Sequence, residues 1–71
     1  MDLDARLTTV GARIRAARQD REVTQTALAK AIGMQRPDLS KIESGRQNVT
    51  LSTLYRIADH LGVPASSLLP E

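Results

Sequence analysis

The sequence predicts an all-α fold of five short helices. Apolar residues recur at three- and four-residue spacings, no alternating strand pattern is present, and capping residues or glycines bound helices 2, 3 and 4. The 71 residues include no Phe, no Trp and a single Tyr, so the core must be built from Leu, Ile, Val and Ala. A chain of this length predicts one small, compact domain.

Helices 1 and 2 are expected in the first half of the chain. Helix 1 runs from about residue 4 or 5 to about residue 20, with one stripe at 3.6-residue spacing. That stripe contains Leu7, Val10, Gly11, Ile14, Ala17 and Arg18. Thr24 is the expected cap of helix 2, because its hydroxyl can accept a hydrogen bond from an unpaired amide of the next turn. Helix 2 ends near Gly33.

Helix 3 begins around residues 35–37 and ends at Gly45. Leu39 and Ile42 lie three residues apart and point inward. The opposite face contains Arg36, Pro37, Ser40, Lys41 and Ser44. Two short helices joined by a turn, the second with more polar and basic groups outward than a buried helix has, are typical of a helix-turn-helix DNA reader.

Helix 4 is expected to follow Thr50, its cap, and to end at Gly62. Its expected buried residues are Leu51, Leu54, Ile57, Ala58 and Leu61. Pro64 has the fixed φ suited to a first helical turn and opens a last short helix. Leu68 and Leu69 supply the apolar contacts of that fifth helix.

The basic charge lies in the same half of the chain as helices 2 and 3. Residues 4–46 contain nine Arg and Lys against five Asp and Glu, whereas residues 47–71 contain one Arg against two acids. Eight of the ten basic residues are Arg, which can grip phosphate and can pair with guanine. Charge alone fits a solvated basic surface equally well.

The composition argues against several classes of function. Without Cys, neither a disulfide framework nor a thiolate metal site can form. No Ser-His-acid set, paired carboxylates or glycine-rich phosphate loop is present, and His60 is the only histidine, so we expect no enzyme, no cofactor, no metal and no small-molecule ligand. No apolar stretch approaches 18 residues and no leader is evident, so we expect no membrane association and a cytoplasmic location.

Together these segments resemble the lambda-repressor-like helix-turn-helix family, of the Cro/cI or XRE type. The resemblance rests on GARIRAARQDREVTQ, TQ-x-x-LA-x-x-IG, RPDLSKIESG and TLSTLYRIADHLGV-P-x-x-LL, which follow the family's order over nearly the whole chain. Gln35 stands where a Ser or Thr cap is usual, and Pro37 lies in the first turn, where amides have no helical partner to lose. The resemblance implies a compact five-helix domain whose helix-turn-helix spans residues 24–45.

Arg36 is the first candidate for a base contact, because the N-terminal turn of such a recognition helix meets the major groove. Its alternative roles are a phosphate contact or a solvated arginine. Asp38 could accept from cytosine N4, but a role at the positive end of its own helix is favoured. The glutamine that matches Gln25 touches the DNA backbone in the family. The predicted DNA-binding set is Thr24, Gln25, Gln35, Arg36, Pro37, Asp38, Ser40, Lys41, Ser44, Arg46 and Asn48.

Arg18 and Glu43 each lie at the edge of an apolar stripe, where an unpaired charge is costly. Pairing them resolves both problems, and the resemblance implies the same bridge between helix 1 and the recognition helix. We therefore expect a structural ion pair and not a catalytic acid.

Tyr55, Leu68 and Leu69 could be core residues or an apolar patch that joins two copies. One recognition helix contacts only a few base pairs, and the family's usual solution is a dimer, so we expect an interface within residues 50–71. The sequence predicts a homodimeric transcriptional regulator of a palindromic double-stranded DNA operator. Its brevity and the RQNVTLSTL segment resemble restriction-modification controller proteins. The alternatives are an antitoxin that represses its own operon and a protein-interaction module without DNA binding.

Overall fold

The computed structural model describes residues 2–70, and within that range it contains four α-helices and one short 3₁₀ helix. The elements are α1 Leu3–Asp20, α2 Gln25–Ala31, α3 Arg36–Glu43, α4 Leu51–Leu61 and the 3₁₀ helix Ala65–Leu68. The all-α prediction is confirmed. No helix in the described part of the chain is both long and apolar enough to cross a membrane.

Capping side chains begin three of the four α-helices. Asp2, Thr24 and Thr50 accept hydrogen bonds from the amide three residues later, at 2.7, 3.0 and 3.2 Å. These bonds satisfy amides that have no partner within the helix. The caps predicted at Thr24 and Thr50 are confirmed, whereas Gln35 at the start of α3 makes no side-chain capping bond.

Helices α2, α3 and α4 end in one recurring motif. Gly33, Gly45 and Gly62 each follow the helix with a left-handed φ of 72°, 77° and 68°. The next amide then donates to the carbonyl five residues earlier, at 2.8, 2.9 and 3.0 Å, which satisfies a carbonyl of the last turn. α1 ends in the same way, but Glu22 takes the left-handed position with a φ of 57°.

The core is aliphatic and lies where all five elements meet. α1 packs against α3, α4 and the 3₁₀ helix, while α2 packs against α3 and α4. The largest side chains below 2% exposure are Ile14, Leu28, Leu39, Leu54, Ile57, Leu61 and Leu68. This arrangement fixes α3 by its inward face and leaves its other face open.

α1 crosses the end of α3 at Gly11. A Cβ at this position would overlap the carbonyl oxygen of Ile42 and would lie 2.6 Å from the carbonyl oxygen of Glu43. The backbones can approach so closely only because Gly11 has no side chain. The end of α3 is therefore fixed against α1 at backbone distance.

The expected fifth α-helix is wrong, because residues 65–68 form a 3₁₀ helix. Its amides donate to carbonyls three residues earlier, as from Ser67 to Pro64 at 3.0 Å. A residue before proline avoids the α region, and Leu69, which precedes Pro70, has φ −100° and ψ 131°. The segment is thus closed on both sides by proline and stops after one turn.

Two predicted environments are also wrong. Leu51 was expected in the core, but it is 67% exposed because it is the first residue of α4, on the turn outside the packed region. Leu68 was assigned to a dimer interface, but it is 1% exposed and packs in the core. Its neighbour Leu69 is 43% exposed, since adjacent residues cannot both point into one small core.

Candidate nucleic-acid interface

The outward face of α3 is polar, basic and open to solvent. Leu39 and Ile42 anchor the opposite face at 0% and 2% exposure. Of the residues predicted to contact DNA on this helix, Arg36, Pro37, Lys41 and Ser44 are exposed, while Asp38 and Ser40 are half-buried. Asp38 lies in the first turn of α3, where its negative charge interacts favourably with the positive end of the helix dipole.

At the end of α3, the side chains of Ser44 and Arg46 are in contact. Ser44 is the residue at the helix terminus, and its hydroxyl donates to the Lys41 carbonyl at 3.0 Å. The Arg46 Nε in turn donates to the Ser44 Oγ at 2.9 Å. The guanidinium of Arg46 is thereby held beside the negative end of α3, with its remaining donors available outward. Asn48 lies exposed in the connection that follows.

Behind this face, Arg18 of α1 and Glu43 of α3 form a buried ion pair. Arg18 donates from Nε to Glu43 Oε2 at 2.7 Å and from Nη2 to Glu43 Oε1 at 2.9 Å. Its Nη1 donates to the Val23 carbonyl at 2.8 Å. The residues are 9% and 4% exposed. The structure thus joins the two side chains that the sequence placed at the edges of apolar stripes.

The pair keeps both groups ionised. Burial acts to raise the pKa of Glu43, but the hydrogen bonds from Arg18 and Gln25, with the positive charges of Arg18 and Arg15, outweigh it and lower that pKa. The hydrogen bond to Glu43 is the largest influence on Arg18 and raises its pKa. The Arg15 Nε lies 3.5 Å from Glu43 Oε1 and is largely solvated.

Gln25 has a position that the sequence did not predict. Its Nε2 donates to Glu43 Oε1 at 3.0 Å, and its Oε1 accepts from Arg36 Nη1 at 3.4 Å. The family resemblance implies only a contact between Gln25 and the DNA backbone. An ionised carboxylate has about four acceptor sites, and one arginine does not fill them all. A second donor to Glu43 could therefore have been expected from the sequence.

The predicted residues therefore fall into two groups at the two ends of α3. Arg36 begins the helix beside Gln35, which lacks a capping bond, and its guanidinium contacts Gln25, whose amide also donates to Glu43 in the last turn. Lys41, Ser44 and Arg46 meet at its end. The Thr24 hydroxyl is occupied by the Ala27 amide at the start of α2.

Residues 14–68 match the family HTH_3, described as helix-turn-helix. The chain belongs to this helix-turn-helix family. The match covers α2, α3, α4 and the last seven residues of α1, including the ion pair and the outward face of α3. The resemblance to the Cro/cI or XRE type is confirmed.

Known relatives of this helix-turn-helix chain include regulators. The chain is 43% identical over 63 residues to the immunity repressor protein of Bacillus phage phi105, a match that covers 89% of this chain and 44% of the repressor. The chain thus spans less than half of that relative's length.

Solved structures of regulators share the fold. The restriction-modification controller protein C.AhdI from Aeromonas hydrophila is 28% identical with a TM-score of 0.84, and the match covers 89% of this chain and 96% of that protein. The clp gene regulator ClgR from Corynebacterium glutamicum is 29% identical with a TM-score of 0.86. That match covers 96% of this chain and 69% of ClgR. These comparisons support a DNA-binding transcriptional regulator.

Proposed function

We propose that this helix-turn-helix chain is a sequence-specific transcriptional regulator that reads a palindromic double-stranded DNA operator as a homodimer. The observation that carries the proposal is the outward face of α3, which is exposed and basic on a helix whose other face is buried. Such a helix fits the major groove of DNA. This role needs no catalytic group. We place the protein in the cytoplasm, where the operator lies.

The two ends of α3 have different roles in this proposal. Arg36 reads a base, because it is exposed in the first turn and its guanidinium matches guanine O6 and N7. Lys41 and Arg46 at the other end contact phosphates, which orient the helix without reading sequence. Gln35, Pro37 and Ser40 border Arg36 and limit which bases fit. Thr24, Ser44 and Asn48 lie at helix ends or beyond, where phosphate contacts are the suitable role.

The second copy is proposed to bind at the C-terminal third of the chain. Tyr55 and Leu69 are 56% and 43% exposed, and Leu51 lies one helical turn before Tyr55 with 67% exposure. These apolar side chains lie outside the helix-turn-helix. A two-fold dimer would place half-site centres about 34 Å apart and would make the operator a near-palindrome.

Selection of bound sequences from a random duplex pool tests the assignment of Arg36. Arg36→Ala should weaken binding by about 1 to 3 kcal/mol and relax one or two positions in each half-site. Arg46→Ala should instead weaken all sequences alike and reduce the slope of log affinity against log salt by about 0.9. An unchanged motif for Arg36→Ala would show that Arg36 does not read a base.

Sedimentation tests the proposed interface separately. Leu69→Glu and Tyr55→Glu should weaken dimerisation and operator binding together, because both introduce a charge into an apolar contact while leaving the core intact. If both variants remain dimers at the concentration at which the parent does, the interface lies elsewhere.

Within this class, a role as a restriction-modification controller is supported by the structural likeness to C.AhdI, and a phage-type repressor by the sequence similarity to the phi105 protein. An antitoxin would bind a second protein encoded beside it. The neighbouring genes and binding to the chain's own promoter distinguish these three. A protein-interaction module would fail the DNA selection altogether.

A further inference from the structure

Arg13 of α1 holds the backbone of Leu69, the residue that follows the 3₁₀ helix. Its Nη1 donates to the Leu69 carbonyl oxygen at 2.7 Å. The Leu69 amide donates in turn to the Ser66 carbonyl at 3.3 Å. Both backbone polar groups of Leu69 therefore have partners, and one partner is a side chain of a helix distant in sequence.

The side chain of Leu69 is nevertheless turned outward. Leu68 before it is buried in the core, and Leu69 has an extended backbone, in which successive side chains point to opposite sides. Pro70 after it favours that extended conformation. Leu69 thus presents an apolar side chain to solvent from a backbone that is fixed at its N–H, at its carbonyl and by both neighbours.

A fixed backbone has a consequence when such a side chain enters an interface. Residues that are ordered before binding lose less conformational entropy in the complex, and binding is then tighter. Leu69 and Tyr55 are the side chains proposed to meet a second copy, and one recognition helix covers too few base pairs for one copy to act alone. Ordering of Leu69 in the free chain therefore favours association with a second copy.

We propose that Arg13 is a positioning residue for the association of two copies, because its bond to the Leu69 carbonyl holds the Leu69 side chain in the orientation that the interface uses. This inference rests on the proposed function, in which Leu69 lies in the dimer interface. The competing role for Arg13 is structural, in which the bond attaches the last segment to α1. A structural bond would stabilise each copy and leave the association of folded copies unchanged.

Sedimentation of Arg13→Met, without DNA, separates the two roles. Methionine keeps an unbranched, flexible side chain and removes the donor. The dissociation constant of the dimer should rise about tenfold, because a two-fold dimer loses the bond in both copies. The lost positive charge acts in the opposite direction, since the chain has a net charge of +2 and two copies repel each other less without it.

Arg6→Met is the matched control. Arg6 is an exposed arginine two turns earlier on the same face of α1, and within residues 2–70 its side chain makes no hydrogen bond to the last segment. Arg6→Met removes the same charge, so its dissociation constant should equal that of the parent or lie slightly below it. An equal rise for Arg6→Met and Arg13→Met would assign the effect to charge and overturn the positioning role.

A double-variant cycle decides whether Arg13 acts through Leu69. Leu69→Ala shortens the side chain but keeps the carbonyl to which Arg13 donates. In the Leu69→Ala background, Arg13→Met should have no further effect on the dissociation constant. An Arg13→Met dimer as tight as the parent's, or an equal rise in both backgrounds, overturns the positioning role and leaves the proposed interface intact. If Leu69→Glu does not weaken the dimer, the proposed interface is wrong and this inference fails with it.

The monomer gives a second measurement, made at a concentration well below the dissociation constant. The order parameter of the Leu69 amide, from nuclear magnetic resonance relaxation, should be about 0.85 in the parent, as in a rigid backbone, and should fall in Arg13→Met. That of the buried Leu68 should be the same in both proteins, which shows that the variant is folded. An unchanged order parameter for Leu69 overturns the proposal.

Discussion

The two ends of α3 are held in different ways. Its last turn is fixed by the contact with Gly11, by the buried hydrogen bond from Arg18 to Glu43 and by the left-handed Gly45 that follows the helix. Its first turn has no capping side chain, and Arg36 is held there by one long hydrogen bond. The helix is thus fixed at the end that joins the core, while the end proposed to read bases can adjust to its partner.

The largest expected effect comes from breaking the ion pair at the fixed end. Glu43→Ala or Arg18→Ala should lower the free energy of unfolding by about 3 to 5 kcal/mol, because each removes the buried group of opposite charge with which the remaining charge is paired. The double variant should recover part of the loss, since no orphan charge remains. Chemical denaturation of all four proteins measures the coupling. Strictly additive losses would contradict a direct pair.

A methyl group at the helix crossing should have the next largest effect. Gly11→Ala forces its Cβ against the carbonyls of Ile42 and Glu43, and overpacking of this kind costs about 1 to 3 kcal/mol or more, because backbone must move. Ala12→Ser, an exposed change at the next position, is the control and should stay within about 0.5 kcal/mol. Equal stability of Gly11→Ala and the parent would mean that α1 and α3 are not in backbone contact.

The dependence of stability on pH tests the ion pair of Arg18 and Glu43 without a mutation. The pKa of Glu43 is lowered in the fold, so the pair stabilises fully above the ordinary glutamate pKa of about 4.3, and the stabilisation is lost as pH falls through the lower pKa of the folded state. The loss should be smaller than for Glu43→Ala, because the protonated side chain still fills its site. Urea denaturation between about pH 6 and pH 2 measures it. The Arg18→Ala, Glu43→Ala double variant should lose stability less steeply, and equal slopes would contradict the assignment.

The smallest effect on stability should come from changing the start of α3, which has no capping side chain. Gln35→Ser supplies the capping oxygen that α3 lacks and should raise the free energy of unfolding by about 0.5 to 1 kcal/mol. Thr24→Ala provides the opposite comparison, since it removes an existing cap and should lower stability by about 1 kcal/mol. A Gln35→Ser protein no more stable than the parent would show that the start of α3 is already satisfied.

Local patterns predicted most of the fold. Thr24 and Thr50 identify helix starts because capping depends on side chains close in sequence. Glycines identify helix ends for the same reason, although Glu22 shows that a left-handed position need not carry glycine. The pair of Arg18 and Glu43 was predictable because a charge at the edge of an apolar stripe needs a partner.

What the sequence did not predict depends on contacts between distant elements. The contact between the last segment and α1 is one of them, since Arg13 Nη1 donates to the Leu69 carbonyl at 2.7 Å. The position of Gln25 depends on the crossing of α2 and α3, which brings an amide between an acid and an arginine. Periodicity gives no distance between helices, so neither contact follows from it.

The aliphatic core has a consequence for spectroscopy. Tyr55 is the only aromatic residue of the chain, and it lies 56% exposed on α4. Unfolding therefore releases no buried ring, and the loss of structure has to be followed by the far-ultraviolet circular dichroism of the helices. Tyrosine emission reports instead on whatever covers the surface of α4, so one unlabelled chain gives separate optical signals for folding and for association.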